Sequence, residues 1–158
     1  MASIRDTVLE AFKAKIQTIT KANGYTDDIG SRVYDYNAIP QQVPTPASIM
    51  AEGSEEVKEE GIGRYTRLLN VSVGFIVAYS GANPQQKVRD VIADIQTACA
   101  SEFAVSVPLL AGGTGSIRCN VVETGNVQFY GMVTPGKVGA QIDFELTYVT
   151  SRTDARKH

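Results

Sequence analysis

Gln141-Ile142-Asp143-Phe144-Glu145-Leu146-Thr147-Tyr148 alternates polar and apolar side chains without a break. A period of two puts successive side chains on opposite faces, so this stretch reads as a strand with one buried and one wet face. Residues 64–79 repeat the pattern over a longer run, with Leu69, Val71, Val73, Phe75, Val77 and Tyr79 on one side. At about 3.3 Å per residue that run spans about 50 Å. A compact domain of this length has a radius of gyration of only about 15 Å. The strand therefore either bends, with Gly74 as the candidate position, or runs past the body of the domain to meet something else.

Two helices frame these strands. In residues 4–22, Ile4, Val8, Phe12, Ile16 and Ile19 fall at spacings of three and four, an apolar stripe on one face. Ser3 is placed to cap the first turn, Asp6 suits its positive end, Lys21 suits the other end, and Asn23-Gly24 supplies a left-handed stop. The second helix opens on Asn83-Pro84, with Gln86 completing a capping-box-like pair, and closes near Ser101. Val88, Val91, Ile92, Ile95 and Cys99 form its apolar face, leaving Arg89, Asp90, Asp94 and Gln96 toward water.

Short strands are expected at 31–36 and 47–52, separated by an extended stretch holding Pro40, Pro44 and Pro46. Residues 104–115, with Pro108 and Gly112-Gly113-Thr114-Gly115, read as irregular. Strands at 117–122 and 127–133 form a hairpin around Thr124-Gly125-Asn126, and 137–150 is the closing strand. The order predicts an α+β domain over residues 1–150: an antiparallel or mixed β-sheet with two amphipathic helices packed on one face, a long protruding strand and an acidic loop. A polar, frayed tail follows at 151–158.

The acidic loop occupies residues 53–63. Glu55, Glu56, Glu59 and Glu60 stand against one Lys58, bounded by Gly53, Gly61 and Gly63. Like charges this dense repel, and glycine-flanked loops of this length inside a domain commonly serve binding. With Arg64 and Arg67 just beyond, the candidate contact set is Glu55, Glu56, Lys58, Glu59, Glu60, Arg64 and Arg67. A solvated or protein-contacting loop, a negative patch facing a channel and a divalent-cation site all remain open, although the spacing does not match an EF-hand loop.

Composition narrows the function. With 158 residues the chain fits one domain, and 43% apolar with 20% charged residues is ordinary for a globular protein. A net charge of −2 argues against a dedicated binder of duplex DNA or anionic membranes. Cys99 and Cys119 sit in apolar patterns and read as small buried hydrophobes. No apolar run is long enough to span a bilayer and no signal-peptide pattern opens the chain, so assembly in the cytoplasm is expected. The one histidine is His158, at the end of the chain, which removes positioned His bases and most zinc sites. The glycine cluster lacks the Lys-Ser/Thr of a P-loop and does not follow a strand in a βαβ unit. No catalytic, metal or cofactor-binding residue is assigned, and a non-enzymatic role is expected.

The layout resembles the tail terminator, or tail completion, proteins of long-tailed bacteriophages. The resemblance is carried by order and patterning over residues 4–152: Ile4-Arg5-Asp6-Thr7-Val8-Leu9 closed by Asn23-Gly24-Tyr25, the Pro-rich segment, and Ile49-Met50-Ala51-Glu52-Gly53 with its acidic flap. The long strand, the helix containing Asp94-Ile95-Gln96 and the closing Ala140-to-Tyr148 strand complete it. It implies a structural virion protein that forms a homohexameric ring on the tail tube, stops its polymerisation and offers a surface to neck or head-completion proteins. In contractile tails it implies contact with the sheath as well. DNA would only pass through the lumen, and the location would be the tail–neck junction. Competing readings are a head–tail connector, a neck protein or a tail tube subunit, and, from a different class, a small ligand-binding domain or enzyme.

Overall fold

The computed structural model describes residues 2–59, 61–125, 128–134, 136–151, 153, 154, 156 and 157, with the backbone alone for 128–134. Its elements, in chain order, are α1 (Ile4–Gln17), β1 (Val33–Asp35), β2 (Ala47–Glu59), β3 (Arg64–Ala78), α2 (Pro84–Cys99), β4 (Phe103–Pro108), β5 (Thr114–Glu123), β6 (Gln128–Thr134) and β7 (Lys137–Ser151). Short 3₁₀ turns at Lys21–Asn23, Ile29–Ser31 and Tyr36–Ala38 join them. The fold is α+β, as the patterning requires. The sheet runs β1-β2-β3-β7-β5-β4, with β6 also on β7, and it is mixed because β1 pairs with β2 in parallel.

The two long alternating stretches are partners. β3 and β7 pair antiparallel from Arg64↔Ser151 to Ala78↔Lys137 in one unbroken register. The ladder passes Gly74 opposite Gln141 with no shift, so the glycine interrupts nothing. Leu69, Val71, Val73, Phe75 and Val77 from β3, and Val138, Ala140, Ile142, Phe144, Leu146 and Tyr148 from β7, are all buried on one face. There they meet Ile4, Val8, Phe12 and Ile16 of α1 and Val88, Val91, Ile92, Ile95 and Cys99 of α2. Phe12 and Phe144 meet edge to face, ring centroids 5.6 Å apart. Burying each Val, Leu, Ile or Phe among them is worth about 1.5–3 kcal/mol.

Helix signals operate where the sequence places them. Ser3 and Asp6 form a reciprocal capping box at the start of α1, and Asn83 accepts from the Gln86 amide at the start of α2. Gln86 does not complete that second box; its side-chain amide donates to Asp90 instead. α1 ends at Gln17, short of the expected Ala22, because the chain tightens into the Lys21–Asn23 turn. Asp94, expected to face water, is buried and accepts from the backbone N–H and the hydroxyl of Thr26. Together with the Lys87–Asp27 ion pair at 2.5 Å, it ties the 25–28 segment to α2.

Three further expectations are corrected. Residues 53–59 are not a loop: β2 continues through them to Glu59, and only a tight turn separates it from β3. Residues 104–115 are not irregular: β4 and the start of β5 form a hairpin turning at 109–113. Residues 117–122 and 127–133 do not form a hairpin with each other. β5 and β6 instead pair with different parts of β7, at Phe144–Thr147 and Lys137–Gln141 respectively. In the tail, the buried Ser151 donates its backbone N–H to the Lys157 carbonyl, so the described tail residues fold back onto the end of β7.

Candidate functional site

The candidate contact residues lie on the far half of the β2–β3 ribbon, an arm built from residues 53–59 and 64–68 and backed by the end of β7. A β-bulge creates its character. Glu52 pairs with Val71, but the next pair is Glu55↔Leu69, so β2 carries one extra residue at Gly53-Ser54. Because side chains alternate with a period of two, one inserted residue exchanges the faces of everything beyond it. Ser48 and Met50 point to the helix side before the bulge, and Glu55 does so after it.

Glu55 is thereby driven into a polar cluster at the root of the arm. Its carboxylate lies 3.2 Å from Arg67 Nη1 and 3.5 Å from Arg5 Nη1 and accepts a hydrogen bond from the Tyr148 hydroxyl at 2.5 Å. Arg67 also donates from Nε to Thr150 Oγ1 at 2.8 Å. Arg5, in the first turn of α1, donates to Glu52 at 2.7 Å. Only 14% of the Glu55 side chain and 19% of the Arg67 side chain are exposed, and Tyr148 is 1% exposed. Three elements (the start of α1, the start of β3 and the end of β7) thus converge on one carboxylate, which β2 presents just past its bulge. A small cavity of about 140 Å³ lies among Ser3, Arg5, Glu55, Arg67, Tyr148 and Thr150.

The electrostatics follow from this burial. Tyr148 has its pKa pushed well above the phenol's usual value, first by desolvation and then by its hydrogen bond to Glu55 and that group's charge; Arg67 and Arg5 oppose the shift without reversing it. The phenol therefore stays protonated as a donor. For Arg5 desolvation pulls the pKa down, but the bond to Glu52 and the charges of Glu52 and Glu55 prevail and raise it. The cluster is a fixed joint: its charges compensate one another.

The other expected residues occupy the arm's surface. Glu56 and Lys58 are exposed on the helix-free face, 3.8 Å apart. Glu59 ends β2 opposite Tyr65, and Arg64 is exposed at the start of β3, opposite Ser151. Glu60 lies outside the described residues. Arg64 and Arg67 were expected to act together, yet three residues of strand put them on opposite faces. Arg67 is engaged within its own chain, whereas Arg64 has no ion-pair partner among the described residues. Arg5, Glu52, Tyr148 and Thr150 were not singled out beforehand. The odd spacing between Met50 and Val57 signals a change of phase in β2, but it does not point to these partners, which only the register of the sheet brings in.

Beyond Met50 the outer edge of β2 has no strand beside it among the described residues. Its bulge and its Glu and Lys side chains are features that discourage indiscriminate edge pairing. The described residues hold no group of three or more His, Cys, Asp or Glu arranged to take a metal, and no described helix is long and apolar enough to cross a membrane. No family model and no curated protein matches this chain at a significant level.

Proposed function

We propose that this protein is a structural subunit that assembles as a ring, of the kind that caps a bacteriophage tail tube and offers its other face to neck or head-completion proteins. The observation that supports this reading best is the arm. The same strands that form the core continue past the helices as a charged ribbon whose root is locked by Arg5, Glu55, Arg67 and Tyr148. A projection held at a fixed angle suits a subunit that must meet a neighbour in one orientation. The exposed charges Glu56, Lys58, Glu59 and Arg64 then act on orientation and register more than on affinity. A ring through which DNA passes also gains from a surface without basic excess, in keeping with the net charge of −2.

Mass in solution by light scattering, followed by negative-stain imaging of the same sample, tests the proposal. Closed rings, six-membered in the form the family resemblance implies, are the expected result. Long open tubes would replace this reading with that of a tube subunit. A chain that remains monomeric across all concentrations and does not gather on tube ends would overturn it.

A further inference from the structure

We infer that the tip of the β2–β3 arm docks into an apolar groove on the helix-free face of the sheet in a second copy of this chain. The inference deepens the ring reading and rests on it.

The donor is Ile62, fully exposed at the turn between β2 and β3. It stands between Gly61 at φ 70° and Gly63 at φ 87°, a backbone that an L side chain adopts only with strain. A Cβ at either glycine would meet nothing within 4 Å, so nothing crowds Ile62 from its two neighbours and one large apolar side chain stands in solvent. Val57, nearly half exposed on the arm behind it, extends the apolar surface.

The acceptor lies on the same ribbon, toward its other end. Tyr36, Ile39, Ile49, Gly74, Ile76 and Gly139 line a groove of about 400 Å³. Ile49↔Gly74↔Gln141 and Ile76↔Gly139 are neighbouring rungs of the sheet, and the partly exposed Gly74 leaves bare backbone between the isoleucines. Tyr36, 65% exposed, forms the rim. The groove therefore offers the shape and polarity that a branched aliphatic side chain requires.

A chain cannot fill its own groove. From Gly74 to the tip the ribbon runs on the order of 35 Å, at about 3.3 Å per residue. Pairing with β7 along the whole of β3 keeps it extended. Donor and acceptor at opposite ends of one stiff element make a head-to-tail contact, which closes into a ring or continues as a filament.

Charge does not oppose this pairing. Among the described residues the arm end carries Glu56 and Glu59 against Lys58 and Arg64, and no charged side chain lines the groove, so docking the tip buries no net charge.

Two substitutions test this separately. Ile62→Asp removes the donor at a position that touches nothing in its own chain. Gly74→Val fills the acceptor, and its Cβ would come no closer than 3.7 Å to another atom, so the strand accommodates it. Both variants should keep the circular dichroism of the unaltered chain. In light scattering each alone should lose assembly by at least tenfold in concentration. An equimolar mixture should form one-to-one dimers and nothing larger, because one good tip and one good groove remain between the two variants. If both variants assemble as the unaltered chain does, the inference fails while the ring reading stands. If the mixture forms no dimers, head-to-tail docking at these residues fails. If the unaltered chain is monomeric throughout and does not gather on tube ends, both readings fail.

Discussion

β2, β3 and β7 build two regions of opposite character from one continuous ribbon. Under the helices, the inward positions are Val71, Val73, Phe75, Ile142 and Phe144, all buried and apolar. A few rungs further on, the inward positions are Glu55, Arg67, Tyr148 and Thr150, held together by hydrogen bonds and ion pairs. Strand geometry is the same in both; what changes is the covering layer. Where two helices supply apolar partners, the sheet face is apolar. Where only the first turn of α1 reaches, Arg5 supplies a charge and the face answers with carboxylates. A strand persists as long as its backbone is paired, whatever its side chains meet.

The comparison breaks first in the core. Phe144→Ala should cost about 3–5 kcal/mol, because it removes the partner of the Phe12 ring and leaves a cavity the packed sheet cannot fill. Urea unfolding should show the loss as a lower midpoint, with amide exchange accelerated throughout the molecule, because the whole domain shares this cluster.

Glu55→Ala should cost less, about 2–3 kcal/mol, and in a different place. It leaves Arg67 Nη1 and the Tyr148 hydroxyl without their acceptor in a half-buried site, while Arg67 Nε keeps Thr150. Amide exchange should accelerate at residues 55–59 and 65–68 while the core rungs from Leu69 to Val77 stay protected. Uniform acceleration would mean that the arm and core form one cooperative unit. Glu55→Gln, which retains an acceptor oxygen, should recover part of the loss.

A third expectation concerns pH. Tyr148 titrates above its unfolded value near 10. Burial lifts Cys99 and Cys119 from 9.0 to about 12. All three have a folded pKa above the unfolded one, so each contributes stability that is complete below the unfolded value and is lost as pH rises past it. Stability should therefore fall from about pH 9 upward. Tyr148→Phe should flatten the part of that decline beginning near pH 10, as measured by thermal unfolding across pH 7–11. The same burial predicts that neither thiol reacts with iodoacetamide in the folded protein at pH 8.

The sequence showed the apolar half of this comparison plainly and the polar half poorly. Periodicity located α1, α2, β3 and β7 because each buries one face against a single apolar layer; that β3 and β7 pair with each other is a finding of the structure. β2 beyond Glu52 was hidden because Glu55, Glu56, Glu59 and Glu60 are composed like a loop. No local pattern reports that Leu69, Arg67 and Tyr65 pair with this stretch. β4 was hidden by its brevity, with only Val105 and Val107 buried between small exposed residues and Pro108 at its end. In the candidate site, Glu55 and Arg67 were legible as charges near a strand start. Their partners Arg5 and Tyr148 stand 50 and 93 residues from Glu55 along the chain. Such partners meet only through the register of the sheet, and that register is set by the core.

The smallest effect concerns the arm's outer face. Glu56 and Lys58 are 67% and 54% exposed at the side chain and 3.8 Å apart, a geometry worth at most about 0.5 kcal/mol in water. Replacing both with Thr should leave the unfolding midpoint almost unchanged. Threonine is nevertheless a better strand residue than Glu or Lys, and the double change removes the charges that guard an edge with no strand beside it. The expected result is a protein of ordinary stability that gains turbidity or thioflavin signal over hours at concentrations where the unaltered chain stays clear. If the double variant stays equally clear, the bulge at Gly53-Ser54 guards the edge unaided, and Glu56 and Lys58 are left with the part of their role that concerns a neighbouring subunit.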